Sequence, residues 1–117
     1  MFERTQKGRE ENMLRIHEVA LELIGELVET LEVIGRRDPD LERQLRRCLA
    51  SMSLNIAEGS GSQGRNRNAR YFNALGSSRE ALACLQTARA FRIIADIPFE
   101  TEERFRKIIG TLRVVTR

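Results

Sequence analysis

The stretch Ser51-Met-Ser-Leu-Asn-Ile-Ala-Glu-Gly59, followed by Ser-Gly-Ser-Gln-Gly-Arg65, constrains this chain more than any other part of it. A helical pattern of apolar residues runs into a break rich in glycine and tipped with arginine, and a second helical pattern begins beyond it. Helices joined by short connections follow from this. The strand–loop–helix units that carry dinucleotide and phosphate-loop chemistry do not.

The rest of the chain repeats the pattern. Residues 1–9 are polar and without period, which predicts a flexible N-terminal arm ahead of a single domain over 10–117. From about Glu10 to Ile34 the spacing by threes and fours places Ile16, Ala20, Leu23, Leu27, Leu31 and Ile34 on one helical stripe. Leu14, Leu21 and Val28 recur every seven residues and, with Ile24, widen that stripe on one side. Glutamates 18, 22, 26, 29 and 32 share the opposite face. So broad an apolar sector exceeds what one helix–helix contact needs, and part of it is expected to meet something beyond the monomer's own core.

Gly35 is a candidate C-cap, and Asp38-Pro39 reads as N-cap and first helical residue of a second helix that runs to about Glu58. Leu41, Leu45, Cys48, Leu49, Met52 and Ile56 form its core stripe, with Leu54 on the far side near Ala50. Gly59, Ser60, Gly61, Ser62 and Gly64 make the next connection. A third helix is predicted from Asn66 or Asn68 to about Ala95, with Tyr71, Leu75, Ser78, Leu82 and Leu85 along one line. Gly76 in its middle implies a packing reason, since glycine costs about 1 kcal/mol against alanine there. Asp96-Ile-Pro98 ends that helix, Thr101 is placed to cap the fourth, and Phe105, Ile108, Ile109, Leu112 and Val115 form the last stripe. The reading is all-α: an up-down-up-down four-helix bundle.

At 117 residues the chain suits one hydrophobic core. Aromatic residues are 5% with no Trp, so platforms for stacking single-stranded bases are few. No apolar run reaches the ~20 residues that span a bilayer, and the N-terminus lacks the apolar segment of a signal peptide. The expectation is a cytoplasmic protein without a membrane partner. Cys48 and Cys84 lie in separate helical patterns with no C-x-x-C, which predicts two buried, reduced thiols. The formal charge of +3 permits a nucleic-acid partner without requiring one.

Ser51, Asn55, Ile56, Ala57, Glu58 and Gly59, then a Gly/Arg-rich turn, then Ala74, Gly76, Ser77 and Glu80, follow a recognisable order. Over about residues 13–95 the chain resembles the small bundle proteins first noticed in intervening sequences of 23S ribosomal RNA genes. Gln44-Leu-Arg-Arg47 is similar as well. Ser53 stands where that motif has proline, and the aromatic-rich opening of the family's first helix is missing. The resemblance implies a homo-oligomer, commonly a pentameric ring. It also implies kinship with accessory proteins of diversity-generating retroelements, which work with a reverse transcriptase and its template RNA.

Among candidate sites, Asn55, Glu58 and Glu80 are the polar residues that need explaining. A carboxylate pair serves acid–base or metal chemistry, but the Glu-x-x-His of carboxylate metal bundles is absent, so no metal or cofactor is expected. Asn55 and Glu58 are instead expected to satisfy donors around the Gly59 break. His17, the one histidine, has no flagged nucleophile or orienting acid, and no enzyme is predicted. The arginines are the stronger lead. Arg36, Arg37, Arg43, Arg46 and Arg47 form one group and Arg65, Arg67 and Arg70 a second, candidate phosphate-binding patches at opposite ends of an up-and-down bundle. Leu14, Leu21, Val28 and Leu54 are the candidate oligomer interface. The predicted function is a non-catalytic, self-assembling scaffold or adaptor, with RNA or DNA binding as the alternative.

Overall fold

The computed structural model describes the backbone of residues 2–117 and the side chains from Lys7 onward. Its elements are α1 (Phe2–Arg37), α2 (Pro39–Ser60), α3 (Gly64–Ala90) and α4 (Phe99–Val115). Together they form an all-α four-helix bundle of 51 × 25 × 21 Å. The main contacts join α1 to α2, α2 to α3, α3 to α4 and α4 back to α1. Consecutive helices folded back by short connections give this cycle of neighbours.

The core stripes are those the spacing dictates. Ile16, Ala20, Leu23, Leu27, Leu31 and Ile34 are buried on α1, and the stripe continues to Met13. Leu45, Cys48, Leu49, Met52 and Ile56 meet them from α2, with Tyr71, Leu75, Leu85 and Ala88 from α3 and Phe105, Ile108 and Leu112 from α4. Burying side chains of this size contributes ~1.5–3 kcal/mol each relative to exposure.

The helix ends differ from expectation in several places. The first is the start of α1, at Phe2 rather than near Glu10. The segment 2–9 carries no apolar period, yet its Glu, Arg, Gln and Lys residues favour helix on propensity alone. Met1, which completes the predicted 1–9 arm, lies outside the described residues. At the other end α1 runs through Gly35 to Arg37, so Gly35 is not its C-cap. Asp38 is the whole connection to α2; its amide donates to the Ile34 carbonyl at 2.7 Å, and its carboxylate accepts from the Leu41 amide at 3.0 Å as an N-cap. Pro39 follows in the first turn, where its missing N–H costs nothing.

A second difference is that α3 begins at Gly64, earlier than Asn66. The φ there is +59°, a left-handed conformation that glycine takes without strain. The third is the end of α3, at Ala90 rather than Ala95. Arg92 adopts φ 62°, and the Arg92 and Ile93 amides donate to the Arg89 and Ala88 carbonyls, both at 2.9 Å. Those two bonds make a Schellman motif, closed here by an arginine where glycine is usual. Lastly, Thr101 does not cap α4. The helix starts at Phe99, after Pro98, and Thr101 is buried inside its first turn.

Gly59 is the tightest point of the bundle. A Cβ at this position would come within 2.3 Å of Tyr71 Cε1 and 2.5 Å of its Cδ1. The buried Tyr71 ring therefore lies flush on the α2 backbone. Replacing Gly59 with alanine forces ring or helix to move, and Gly59→Ala is expected to lower unfolding free energy by roughly 1–3 kcal/mol. Denaturant titration beside a Gly76→Ala control, whose position has nothing within 4 Å, checks this.

Candidate functional site: a polar seam and an apolar face

The residues of the central motif meet along the junction of α2 and α3. Ser51 Oγ and Ser77 Oγ are 2.7 Å apart. Asn55 Nδ2 donates to the Ser51 carbonyl at 2.9 Å and to Ser51 Oγ at 3.1 Å. Farther toward the start of α2, Gln44 Nε2 donates to Glu80 Oε2 at 3.5 Å, and the Cys48 thiol donates to that same oxygen at 3.3 Å. Near the end of α2, Glu58 pairs with Arg70 at 2.9 Å and Ser60 Oγ lies 3.4 Å from the Tyr71 hydroxyl. Antiparallel helices bring these pairs together in order, because each step back along α2 is a step forward along α3.

Four of the motif residues, Ser51, Glu58, Ser77 and Glu80, are thus polar rungs of one helix–helix contact, and Asn55 braces Ser51 from within α2. Ile56 and Ala74 are buried beside them, while Ala57 is exposed. Asn55 satisfies groups of Ser51, about two turns before the Gly59 break, not at it. Around the break itself the Glu58 carbonyl accepts from the Gly61 amide at 3.2 Å and from Ser62 Oγ at 2.8 Å. Ser53, at the proline position of the motif, is buried and bonds the Ala50 carbonyl at 3.2 Å, so α2 continues through it unbroken.

Both thiols sit in this seam. Burial, reinforced by the hydrogen bond to Glu80, pushes the Cys48 thiol up to about 12 from its usual 9.0. Cys84 is also raised, first by burial and then by the Glu80 charge. The folded chain holds the Cys48 proton at pH values where the unfolded chain releases it. Folding stability attributable to this group therefore falls as pH rises from about 9 toward 12. Relative to Cys48→Ser, the wild-type protein is expected to lose up to about 1.4 kcal/mol per pH unit in that window. Paired denaturation curves at pH 8 and at higher pH, with variant and wild type side by side, measure it.

The arginines divide. Arg43 pairs with Asp40 and Arg46 with Glu42, each along its own helix, and Arg70 with Glu58 across the seam. Arg67 Nε donates to the Ser62 carbonyl at 2.7 Å, tying down the α2–α3 connection. Arg36, Arg37, Arg47 and Arg65 are exposed and have no carboxylate partner among the described residues. The Arg36 and Arg37 pair closes α1 and Arg65 opens α3, so these cations lie at opposite ends of α2, with Arg43, Arg46 and Arg47 along that helix. An open depression at the α1–α2 end is lined by Glu32, Gly35, Arg36, Pro39, Glu42 and Arg43, carboxylates among its cations.

The predicted interface residues lie together on the outside. Gly35 of α1 lies against Glu42 of α2, while Arg104 of α4 reaches Glu26 at 2.8 Å and Glu22 at 3.6 Å. These contacts fix the two flanks of α1, and at 100° per residue Leu14, Leu21 and Val28 belong to the α2 side, turned outward. On the outer side of α2 the exposed Ala50, Leu54 and Ala57 add apolar surface, with Arg43 and Arg47 on the same side toward the start of the helix. Leu14 is 61% exposed, Leu21 52%, Val28 46% and Leu54 61%, so none of them is buried within the monomer.

The outer face of α3 adds Phe72, exposed between Ala69 and Gly76. The sequence reading missed Phe72; with Tyr71 on the core line, its neighbour had to point away. Gly76 has nothing within 4 Å of where a Cβ would stand, so its expected packing partner is not among the described residues. No described helix is long and apolar enough to cross a membrane. No curated protein and no solved structure matches the chain. The family model for 23S rRNA-intervening sequence proteins matches residues 12–113, nearly the whole bundle that carries the polar seam and the apolar face, and the chain belongs to that family.

Proposed function

We propose that this protein is a non-catalytic, self-assembling bundle that acts as a scaffold or adaptor. The observation that carries this reading is the exposed line Leu14, Leu21 and Val28 on α1, continued by Leu54 on α2. Monomeric proteins scatter apolar side chains singly; a contiguous apolar face beside small residues is the surface on which a second chain packs. Copies of this chain are the occupant that the periodicity favours, because a seven-residue repeat of apolar side chains suits helix-on-helix contact. The family resemblance implies a ring, with five copies as the expected number. The motif carboxylates Glu58 and Glu80 engage Arg70, Gln44 and Cys48 within the chain, which supports a structural role for them.

Light scattering coupled to size exclusion tests the assembly. A mass several times the 13.4 kDa of one chain is expected at micromolar concentration. Leu21→Glu combined with Leu54→Glu is expected to give monomers with unchanged helical circular dichroism. A wild-type protein that runs as a monomer overturns the proposal.

A second reading rests on Arg36, Arg37, Arg47 and Arg65, which are exposed and without carboxylate partners among the described residues. In an oligomer these cations repeat around the assembly and would bind RNA or DNA through phosphates, for instance alongside a reverse transcriptase or ribosomal RNA. Binding of a structured RNA is then expected to weaken steeply between 50 mM and 200 mM salt, by ~10³-fold or more if six phosphates are engaged. It is also expected to fall on replacing Arg36, Arg37 and Arg65 with alanine. Absence of binding at low salt removes this reading.

A further inference from the structure

We infer that Cys48 and Cys84 are a redox pair, which a peroxide-class oxidant converts into a disulfide that staples α2 to α3 within one chain. The register of the seam places them for it. Ser51 meets Ser77 and Cys48 meets Glu80, so Cys84 stands one turn beyond the residue opposite Cys48. Side chains on a helix lean toward its N-terminus. On two antiparallel helices the lean of Cys48 and that of Cys84 are therefore convergent, and the two thiols come close enough to act on each other's ionisation. Small residues keep the helices near: Ser77, Ser78 and Ala81 line this part of α3, and the 2.7 Å contact of Ser51 with Ser77 lies one turn away. A disulfide needs Cα atoms within about 7 Å, a spacing that helices in such contact reach.

The chemistry balances with peroxide as the oxidant. One thiolate attacks a peroxide oxygen; an S–O bond forms, the O–O bond breaks, and the departing hydroxide takes a proton to leave as water. The second thiol then attacks the sulfenic sulfur; an S–S bond forms, the S–O bond breaks, and a second water leaves. Both cysteines are oxidised and the peroxide is reduced. Cys84, the more accessible at 8% against 4% for Cys48, is the first to react. Burial keeps both thiols protonated at neutral pH, so the reaction is slow there and accelerates as the solution becomes alkaline. The ionisable groups acting on Cys48 are Glu80 and Cys84, both on α3, while α2 contributes the neutral Gln44.

The test treats the folded protein with hydrogen peroxide in mildly alkaline solution, then maps its peptides by mass spectrometry without reduction. The expected product has lost both titratable thiols and two hydrogen atoms, and links the Cys48 peptide to the Cys84 peptide within one chain. Its thermal midpoint is raised and returns to the starting value with dithiothreitol. Its assembled mass is unchanged, because both thiols are buried within one chain. Retention of both thiols, oxygen adducts on either cysteine without a cross-link, or a link between two chains overturns the inference. Cys84→Ser is the companion variant: it is expected to take up oxygen at Cys48 and to show no peroxide-dependent shift in midpoint.

Discussion

The approach of α2 to α3 sets the rest of the structure. Tyr71 lies against Gly59 at a distance that excludes even a methyl group, and about two turns back along α2 two serine hydroxyls share a hydrogen bond. Close approach brings polar side chains into partly buried positions, where an unmet donor or acceptor is destabilising by ~1–3 kcal/mol. The seam meets that demand: among the described residues no buried side-chain nitrogen or oxygen lacks a partner. The alternation of small, polar and thiol groups along it fixes register as well as spacing. A slip of α3 by one turn would part Ser51 from Ser77, Glu58 from Arg70 and Glu80 from Cys48 together.

Much of this was legible in the sequence, for identifiable reasons. The core stripes of all four helices follow from spacing by threes and fours, since burial of one face is the dominant favourable term. The outward Leu14, Leu21, Val28 and Leu54 were legible for the same reason, as apolar residues left over once each core stripe was filled. Helix ends were less legible because they turn on local bonds. Arg92 in a left-handed conformation carries no residue signal, and the Schellman bonds that hold it depend on backbone geometry alone. Gly35 offered a stop signal that α1 ignores: the helix runs two residues farther to Arg37, and Asp38 and Pro39 begin the next at once. Thr101 has a capping side chain, but its place in the core overrides that preference. The motif residues were visible as a pattern, while their role as rungs between α2 and α3 required the pairing itself.

The distribution of charge and apolar surface divides the molecule by face. Carboxylates of α1 face α4, where Arg104 bridges Glu22 and Glu26. Most arginines of α2 are neutralised by neighbours one turn away on the same helix. What remains uncommitted is the exposed apolar surface of α1, α2 and α3, together with cations at both ends of the bundle and along it, Arg47 among them.

Asp38 alone separates α1 from α2. A junction of that length has no slack. Each residue gained or lost there would rotate α2 by ~100° about its own axis, carrying Leu54 out of line with Leu21 and the polar rungs away from α3. A change of length is absorbed more readily in the longest connection, the irregular stretch between Ala90 and Phe99. Drift in that stretch changes the height at which α4 starts and leaves the other three helices in phase.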